Sequence, residues 1–461
     1  MSITRLLGTM WRVGREERLS RCRMLETQKR RLRRLLEHVL SHSTFYRTYY
    51  RTHGITADKL DGLELRHLPP IDKQVVMEHF DALVCDPAIT RAGIERFLRN
   101  CDNPGVRYKG TYRVMHTSGS TGQPGLFVYS AADWRIAQAL VGTRVLRYRP
   151  TLGRIRYAFL VKSSGHYAGV QLAQSASRLG FKKLLLSIDD PIDRTLERLQ
   201  RFQPHLLGGY PSGLAMLAEQ QLQGNLHIQP RKIIGSGEHL DSGARALIET
   251  AFATRPVNLY AASESLALGA SCPHHKGIHL FDDWHCFEIG DAWAGDSTSS
   301  KQGHLTLTNL YNYTQPLIRY EMTDEIELDD RPCPCGWPFL LAKDITGRAE
   351  EKLWFEKADG TRDCIHPLVI AALYTPGLEK FQAVQTGPCE LLLRLKTAGN
   401  SKEIALQIKM ELATALRQKH LDRDISIRTE IVDEIPNDPV TGKYRLVVPH
   451  RPAKLPSASM P

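Results

Sequence analysis

A loop at residues 117–125 alternates hydroxyl side chains with glycines, in the order TSGSTGQPG. Glycine allows tight turns and lets the backbone approach a ligand closely, while hydroxyls and backbone N–H groups form concavities that bind anions. The loop lacks the Gly-Lys-Ser/Thr ending of the usual mononucleotide loop. Its composition therefore indicates a phosphate-binding loop of another kind, and the ordinary alternative is a surface turn.

Six further short motifs follow this loop along the chain. They are GYPS at 209–212, GSGEHL at 235–240, YAASE at 260–264, IRYEMTD at 318–324, GRAEEK at 347–352 and TGKYRLV at 441–447. Each motif is weak alone, since Asp324 is compatible with a turn, Glu264 with a helix cap and Lys443 with a solvated loop. As one ordered set they are far more specific.

The ordered set resembles the motifs of adenylate-forming enzymes, the superfamily of acyl-CoA synthetases, adenylation domains and luciferase. The branch it resembles most is that of phenylacetate–CoA ligase, with its coenzyme F390 synthetase and capsule-associated relatives, because the stretches at 42–50 and 68–76 also have counterparts there. The resemblance extends from about residue 25 to residue 450. It implies that a carboxylate attacks the α-phosphate of ATP and gives an acyl-adenylate and pyrophosphate.

The resemblance assigns the loop at 117–125 to the phosphates of ATP. Thr117 would lie near the α-phosphate, and Gly125 stands where many superfamily members carry a lysine. The loop itself would therefore supply less positive charge. Five loop residues are assigned to the β- and γ-phosphates: Ser118, Gly119, Ser120, Thr121 and Gly122.

Three later motifs are assigned by resemblance to the nucleoside and its metal ion. Tyr260 would stack on adenine, in a segment with Ser263 and with Ala261 where glycine is usual. Glu264 would help to hold Mg²⁺, a hard cation that prefers oxygen ligands, and Asp324 would accept hydrogen bonds from both ribose hydroxyls. The segment assigned to adenine and the acyl substrate is Ser236, Gly237 and Glu238.

The motifs near the C-terminus imply a small mobile domain. Arg348 resembles the arginine that reaches the nucleotide, and Glu350 occupies the place of the hinge acid. Lys443 resembles the catalytic lysine, whose ammonium group bridges the attacking carboxylate and the α-phosphate. In the superfamily this small domain rotates about the hinge between adenylation and thioester formation.

Four side chains match the ligands of a tetrahedral structural zinc site: Cys272, His279, Cys333 and Cys335. Three thiols and one imidazole are a usual zinc set. Cys-x6-His and Cys-x-Cys are not standard finger spacings, so buried free thiols with surface histidines remain the alternative. His274 or His275 could replace His279. Relatives in the phenylacetate branch often carry this set, and some bind zinc with it.

The acyl pocket is predicted to include Gly209, Tyr210, His166 and His239. Gly208 and Gly209 beside Tyr210 would leave room for a flat ring, which favours an aryl or other small acid over a long fatty chain. The two histidines could contact a polar substituent. The alternative is ordinary packing around the nucleotide.

Short apolar runs alternate with helical segments between residues 114 and 263. This alternation predicts an α/β fold with a mostly parallel sheet covered by helices on both faces. Closely spaced strands after residue 278 predict a β-rich subdomain. We expect a large nucleotide- and acyl-binding domain at 1–347, an α+β lid domain at 348–450 and a disordered tail at 451–461.

The 461-residue chain has a formal net charge of +11. Its densest basic run, from Lys29 to Arg34, is either a solvated helix face or a surface for a polyanion or phosphorylated small molecule. A nucleic-acid role is not expected, because an RNA-binding signature with aromatic platforms is absent. No apolar stretch is long enough for a membrane span, and the start lacks a secretion signal. These features predict a cytoplasmic protein.

Three hypotheses follow for the function. The first is an ATP-dependent acid–CoA ligase for an aromatic or small carboxylic acid. The second keeps the adenylation but passes the acyl group to an amine, an amino acid or a carrier-protein thiol. The third is a non-catalytic binding protein on the same fold, and a homodimer is compatible with each.

Overall fold

The computed structural model describes most of the chain in a series of ranges. They are residues 3–56, 63–117, 124–147, 153–163, 165–177, 180–272, 274, 277–290, 292–293, 302–329, 331–346, 353–357, 360, 362–365, 367–371, 373, 375, 377–436 and 445–450. The predicted tail at 451–461 lies outside them.

The helices within these ranges begin at Ile3. They are α1 (Ile3–Glu16), α2 (Arg21–His42), α3 (Thr44–Thr52), α4 (Lys73–Glu78), α5 (Phe80–Leu83), α6 (Arg91–Asn100), α7 (Ala131–Leu140), α8 (Ala168–Ser175), α9 (Ile192–Phe202), α10 (Pro211–Leu222), α11 (Ser242–Phe252), α12 (Pro367–Ala371) and α13 (Ser401–Gln418). A 3-10 turn covers Leu65–His67, and a π-helical turn covers Val141–Val145. None of these helices combines the length and the apolar character that a membrane span requires.

The strands form most of the remaining regular structure. They are β1 (Arg113–His116), β2 (Leu126–Tyr129), β3 (Ile155–Val161), β4 (Phe181–Ser187), β5 (Leu206–Gly209), β6 (Lys232–Ser236), β7 (Val257–Tyr260), β8 (Gly269–Ser271), β9 (Ile278–Leu280), β10 (His285–Ile289), β11 (Ala292–Trp293), β12 (Gln302–Asn309), β13 (Tyr320–Asp329), β14 (Leu340–Thr346), β15 (Leu353–Glu356), β16 (Arg362–Ile365), β17 (Leu378–Gly387), β18 (Glu390–Thr397), β19 (Ser426–Ile431) and β20 (Val447–Val448).

Twelve strands of the described residues form one sheet, in the order β11-β10-β12-β13-β14-β9-β8-β7-β6-β5-β3-β4. The strands from β4 to β7 are parallel and are connected through helices. The strands from β7 through β14 to β11 pair in antiparallel fashion. The predicted α/β class and the β-rich subdomain are both confirmed. Buried apolar runs such as β5 produce the parallel half, because both faces of those strands are covered.

The chain divides into two compact units. The first comprises residues 1–117, 125–187 and 196–349, and the second comprises residues 118–124, 188–195 and 350–461. In the second unit, β17 and β18 form the centre of a four-stranded sheet in the order β19-β18-β17-β20. Alternate residues of β18 are fully buried, and the matching face of α13 is buried as well. The predicted boundary at residue 347 stays a prediction.

A buried ion-pair network ties the N-terminal helices to the turn before β10. Both terminal nitrogens of Arg144 donate to Asp283, at 2.8 and 2.6 Å. Arg31 on α2 donates to Glu16 on α1 at 2.5 Å and to the carbonyl of Asp283 at 2.8 Å. The Arg31 guanidinium also lies 3.4 Å from the ring centroid of Trp284. The solvated-face interpretation of the basic run is therefore wrong for Arg31, although its basic neighbours are exposed.

We expect Arg144→Met to lower the free energy of unfolding by roughly 3–5 kcal/mol, because the buried Asp283 carboxylate loses both hydrogen bonds from Arg144 and keeps only the more distant charge of Arg31 at 3.9 Å. Urea unfolding of the purified chain measures this loss. The matched control is Arg33→Met, which removes an exposed ion pair with Glu37 and should cost less than about 1 kcal/mol. Equal losses of unfolding free energy in Arg144→Met and Arg33→Met would contradict the conclusion that the buried Arg144–Asp283 ion pair stabilises the fold.

Candidate active site and metal centre

Three neighbouring parallel strands end at the same edge of the large sheet. β5 ends at Gly209, β6 at Ser236 and β7 at Tyr260. Their register places these ends side by side. Ligands of open α/β sheets bind in the crevice outside such carboxyl ends. The sheet therefore brings together three of the motifs that the sequence analysis selected.

Two tyrosine–carboxylate pairs lie at this edge. The hydroxyl of Tyr260 donates to Asp324 Oδ2 at 2.9 Å, and the hydroxyl of Tyr320 donates to Glu264 Oε1 at 3.3 Å. Asp324 and Tyr320 both belong to β13, whereas Tyr260 and Glu264 belong to the end of β7 and the loop after it. The pairs thus hold two predicted nucleotide-binding carboxylates in fixed orientations.

The electrostatics of these pairs favour a bound cation or hydroxyl donors. Burial raises the pKa of Glu264, and the nearby charge of Asp324 raises it further. Burial and then Asp324 raise the pKa of Tyr260 well above its ordinary value, so this tyrosine stays a neutral donor. A cation beside Glu264 would offset the cost of its buried charge.

Thr117 closes the base of the glycine-rich loop. Its backbone N–H donates to the carbonyl of Gly125 at 2.9 Å, and its hydroxyl accepts a hydrogen bond from the Gly125 N–H at 2.7 Å. A Cβ at Gly125 would lie only 3.0 Å from the ring of Phe127, so this position favours glycine over a lysine. These two hydrogen bonds join the described ends of the loop, next to the antiparallel pair of strands β1 and β2.

The segment after β6 is held against helix α10. Gly237 has a φ of +85°, and a Cβ there would lie 3.1 Å from the Tyr210 ring. Glu238 Oε2 accepts a hydrogen bond at 3.0 Å from the backbone N–H of Ser212, in the first turn of α10. Glu238 thus caps a helix, a role that the sequence analysis did not predict. Ser263, also predicted to bind the cofactor, accepts at its carbonyl a hydrogen bond from Tyr129 at 2.9 Å.

The two histidines predicted for the acyl pocket have different surroundings. His166 is buried, with its Nε2 2.8 Å from the carbonyl of Cys101 and its ring against Phe97. His239 is exposed, with its Nδ1 3.1 Å from the carbonyl of Ile345. The structure favours the packing alternative for His166, while His239 stays a candidate.

The prediction that Gly208 and Gly209 leave room for a flat ring is wrong. A Cβ at Gly208 would lie 2.3 Å from the ring of Phe159, and one at Gly209 would lie 2.7 Å from the carbonyl oxygen of Leu160. Both neighbours belong to β3, which pairs with β5. The glycines therefore allow close strand packing, and protein atoms already occupy the space beside them.

We expect Gly209→Ala to destabilise the chain by roughly 1–3 kcal/mol, because a backbone oxygen cannot move away as a side chain can. The measurement is urea unfolding. Gly8→Ala on α1 is the control, since a Cβ there meets nothing within 4 Å and alanine favours a helix. An unchanged midpoint for Gly209→Ala would refute this packing explanation.

Several predicted residues lie outside the described residues. They are Ser118, Gly119, Ser120, Thr121, Gly122, His275, Arg348, Glu350 and Lys443. Their roles stay predictions from the motif order. Ala261 is described and is half-buried against the main core beside Tyr260.

The structure brings Cys272, His279, Cys333 and Cys335 together, with their ligand atoms all within 4.8 Å of one another. Cys272 follows β8 and His279 lies on β9, while the other two cysteines lie in the turn between β13 and β14. β9 pairs with both β8 and β14, which aligns the two loops. His274 is described too and is not part of this group.

The distances within the cluster fit a tetrahedral ion. Sγ of Cys272 lies 3.6 Å from Sγ of Cys333, and Sγ of Cys335 lies 3.2 Å from Nε2 of His279. Tetrahedral zinc with its usual bond lengths separates two sulfurs by about 3.8 Å and a sulfur from a nitrogen by about 3.6 Å. The sulfurs are too far apart for a disulfide. The donor set and its spacing therefore suit Zn²⁺.

Sequence reasoning missed three residues that support the site. Tyr320 lies inside the IRYEMTD motif but had no assigned role. Tyr129 donates to the carbonyls of Ser263 and Glu264, both at 2.9 Å, and Asn309 donates to the latter at 3.2 Å. Only Tyr320 carried a signal, namely its position within the selected motif IRYEMTD. The other two depend on strand packing.

Comparison with solved structures identifies the fold. The chain aligns with 2-hydroxyisobutyryl-CoA ligase in an open conformation with 2-HIB-AMP and CoA, over 94% of this chain and 93% of that one, at 20% identity and a TM-score of 0.60. A thioesterification-state structure of that ligase, also with 2-HIB-AMP and CoA, aligns over 94% and 91%, at 21% identity and a TM-score of 0.62. The chain has the adenylate-forming ligase fold.

Sequence comparison adds one relative to this fold assignment. Protein CapK of Staphylococcus aureus is 25% identical over 293 residues, which cover 58% of this chain and 59% of CapK. The chain thus matches about three-fifths of the length of that relative. No protein-family model matches the chain. The assignment of the adenylate-forming fold therefore rests on similarity to solved structures. The two tyrosine–carboxylate pairs lie at the edge of the large sheet where its parallel strands end.

Proposed function

We propose that this chain activates a small carboxylic acid with ATP and transfers the acyl group from an acyl-adenylate to CoA. The observation that carries the proposal is the pair of contacts Tyr260–Asp324 and Tyr320–Glu264 at the carboxyl ends of the parallel strands. The likeness to a ligase whose structures hold 2-HIB-AMP and CoA supports it.

In the first half-reaction a carboxylate oxygen bonds to the α-phosphorus of ATP, and pyrophosphate leaves with the electron pair of the broken P–O bond. Asp324 accepts hydrogen bonds from the ribose hydroxyls, and Tyr260 contributes a ring face to adenine. The hydrogen bond between these two side chains keeps the carboxylate oriented before ATP arrives. Preorganisation of this kind lowers the barrier without reorganisation during the reaction.

The phosphate loop and Lys443 complete the proposed machinery. Thr117 anchors the loop whose backbone N–H groups hold the β- and γ-phosphates. Lys443 places its ammonium group between the attacking carboxylate and the α-phosphate. Arg348 contacts the nucleotide. The order of the seven motifs supports these assignments.

Glu264 is the proposed protein ligand for Mg²⁺, which neutralises phosphate charge when bound. A carboxylate oxygen is a suitable ligand for this cation. The hydrogen bond from Tyr320 fixes the orientation of Glu264. Partial burial and the neighbouring charge of Asp324 raise the pKa of this carboxyl group.

In the second half-reaction the thiol sulfur of CoA bonds to the acyl carbon, AMP leaves, and the thiol proton is released. We propose Glu350 as the hinge between the two half-reactions. The support for it is its place in the GRAEEK motif, next to the boundary between the compact units at residues 349 and 350. Residues that absorb backbone change typically lie in such connecting segments.

The proposed substrate class is a small carboxylic acid, and the phenylacetate-like motifs keep aryl acids within it. The glycines of β5 are not evidence for an aromatic substrate, because protein atoms occupy the space beside them. Tyr210 is buried, and its ring packs against Gly237, so it limits the pocket on that side. The solved ligase with the same fold is named for a small branched acid.

We also propose that Cys272, His279, Cys333 and Cys335 hold a structural Zn²⁺. All four positions are occupied by protein atoms, and a structural site is closed in this way, whereas a catalytic site leaves one position open. The ion would link the β8–β9 loop to the turn between β13 and β14. That turn directly follows β13, the strand that carries Asp324. A zinc ion there would therefore stabilise the end of the strand that positions this carboxylate.

The proposal is tested by measuring pyrophosphate release over a panel of carboxylic acids, with and without CoA. We expect a small acid to give slow release alone and multiple turnover only with CoA. Multiple turnover that requires an amine or a carrier protein instead of CoA would select the alternative acceptor. An absence of acid-dependent release across aliphatic, hydroxy and aryl acids would contradict the proposed function.

A further inference from the structure

A cavity of about 70 Å³ lies at the opposite end of the β1–β2 hairpin from the glycine-rich loop. Its walls include Arg107, Thr111, Arg113, Trp134 and Ser175. In the same kind of measure a single water needs only roughly 10–15 Å³. The space therefore accommodates a group the size of a tetrahedral oxyanion.

The charge that faces this cavity is positive and uncompensated. Two arginines line it, and none of the lining residues is acidic. Within the ranges that the structure describes, no carboxylate forms an ion pair with Arg107 or Arg113. Burial and, to a smaller extent, the nearby charge of Arg107 together lower the pKa of Arg113 to about 10. An anion between the two guanidinium groups would remove this cost.

Arg113 is held in a defined position. Its guanidinium carbon lies 4.6 Å from the ring centroid of Trp134, and its Nη1 donates a long hydrogen bond of 3.4 Å to Gln171. Stacking on an aromatic ring restricts a guanidinium while leaving its edge N–H groups available. The buried indole N–H of Trp134 has no acceptor among the described residues. The cavity thus contains a positioned cation.

We propose that this cavity binds a phosphate group through Arg107 and Arg113. Arginine matches phosphate because its planar fork offers two parallel N–H donors. Thr111 and Ser175 also line the cavity. Arg113 begins β1 and Thr117 directly follows its last residue, so the two residues are roughly 13 Å of extended chain apart. The group bound here is therefore distinct from the phosphates assigned to the glycine-rich loop.

The phosphate could come from two sources. One is free inorganic phosphate, which needs no further assumption about function. The other is a phosphate of CoA, and this source rests on the proposed function. The chemistry at the two arginines is the same in both cases, so the experiment has one arm for each source.

In the first arm, inorganic phosphate is titrated calorimetrically into the full chain in the presence of saturating AMP. Arg107→Gln and Arg113→Gln should each weaken phosphate binding at least tenfold. The control Arg99→Gln removes an exposed arginine on α6 and should bind like the parent. Arg107 lies outside the helices and strands and is only half-buried, so its variant tests the site even if Arg113→Gln fails to fold.

The second arm compares KM for CoA with KM for 3′-dephospho-CoA. A KM for CoA at least fivefold lower, with the difference lost in Arg107→Gln, would assign the site to CoA. Equal KM values together with arginine-dependent phosphate binding would assign it to free phosphate. The proposal is overturned if phosphate binds Arg107→Gln, Arg113→Gln and Arg99→Gln equally. It is also overturned if phosphate does not bind the parent and no arginine-dependent difference in KM separates CoA from its dephospho form, which includes the case in which CoA is not a substrate. These readings stay interpretable if CoA is not the acceptor, because the calorimetric arm needs no turnover.

Discussion

Replacement of Asp324 by alanine is expected to lower kcat/KM for ATP by roughly 10²–10⁴. Under the proposed function this carboxylate accepts two hydrogen bonds from ribose, and hydrogen bonds to a charged group contribute about 1.5–3 kcal/mol each. Each 1.4 kcal/mol is about a tenfold change in rate. Carboxylate-dependent pyrophosphate exchange at varied ATP concentrations measures the loss, and urea unfolding shows whether the fold is retained.

The matched control for this variant is Asp329→Ala. Asp329 lies on the same strand, but its carboxylate accepts hydrogen bonds from the exposed Arg331, so its removal should leave exchange unchanged. Tyr260→Phe removes only the hydroxyl that orients Asp324, and we expect about a tenfold loss. Exchange by Asp324→Ala within twofold of the Asp329→Ala value would contradict the assigned role.

Loss of the metal is expected to have the largest effect on stability. Cys333→Ser should abolish stoichiometric zinc and lower the free energy of unfolding by more than about 4 kcal/mol, since removal of a structural metal is among the few changes of this size. The physical reason is that the ion links two loops that only the folded chain brings together. Metal analysis and urea unfolding of the parent and the variant provide the measurement.

Cys101→Ser is the control for the cysteine substitution. Its thiol is half-buried, and its contact is a long one of 3.9 Å to the carbonyl of Asn103. This variant should keep zinc and unfold like the parent. Parent protein with less than about a tenth of an equivalent of zinc after purification without chelators would remove the basis for the site.

Local sequence patterns predicted the parallel half of the fold well. The alternation of apolar runs with helices from β3 to β7 depends on burial, and burial is visible in composition. Helix α1 was missed, although its sequence carries helical periodicity: Thr9, Val13 and Glu16 recur at helical spacing and are buried. The partners of that buried face could not be predicted, because residues such as Thr143, whose hydroxyl donates to the carbonyl of Met10, lie far away in the sequence.

The candidate site was predicted in its residue types more successfully than in its contacts. The motif order selected Asp324, Glu264 and Tyr260, and the sheet brings them to one edge. It could not show that Tyr320 would pair with Glu264, because that contact depends on the register between β13 and its neighbours. The role of Gly209 was misjudged for the same reason, since the carbonyl of Leu160 belongs to a different strand.

For the cysteine–histidine cluster, the sequence predicted the set of ligands, but the choice between the histidines depended on strand pairing. The four ligands were selected from residue chemistry together with the resemblance to the phenylacetate branch, and the structure brings their ligand atoms within 4.8 Å of one another. The choice of His279 over His274 required the pairing of β9 with β8 and β14. Strand pairing, which a single sequence does not encode locally, decided which imidazole faces the thiols.

The central claim is that the chain cleaves ATP between its α- and β-phosphates with a carboxylate as the nucleophile. Phosphorus NMR of the products formed from ATP, Mg²⁺, CoA and an accepted acid tests this claim most directly. The account predicts AMP and pyrophosphate in equal amounts, with a strict requirement for the acid. Formation of ADP and orthophosphate, or acid-independent release of pyrophosphate, would contradict it.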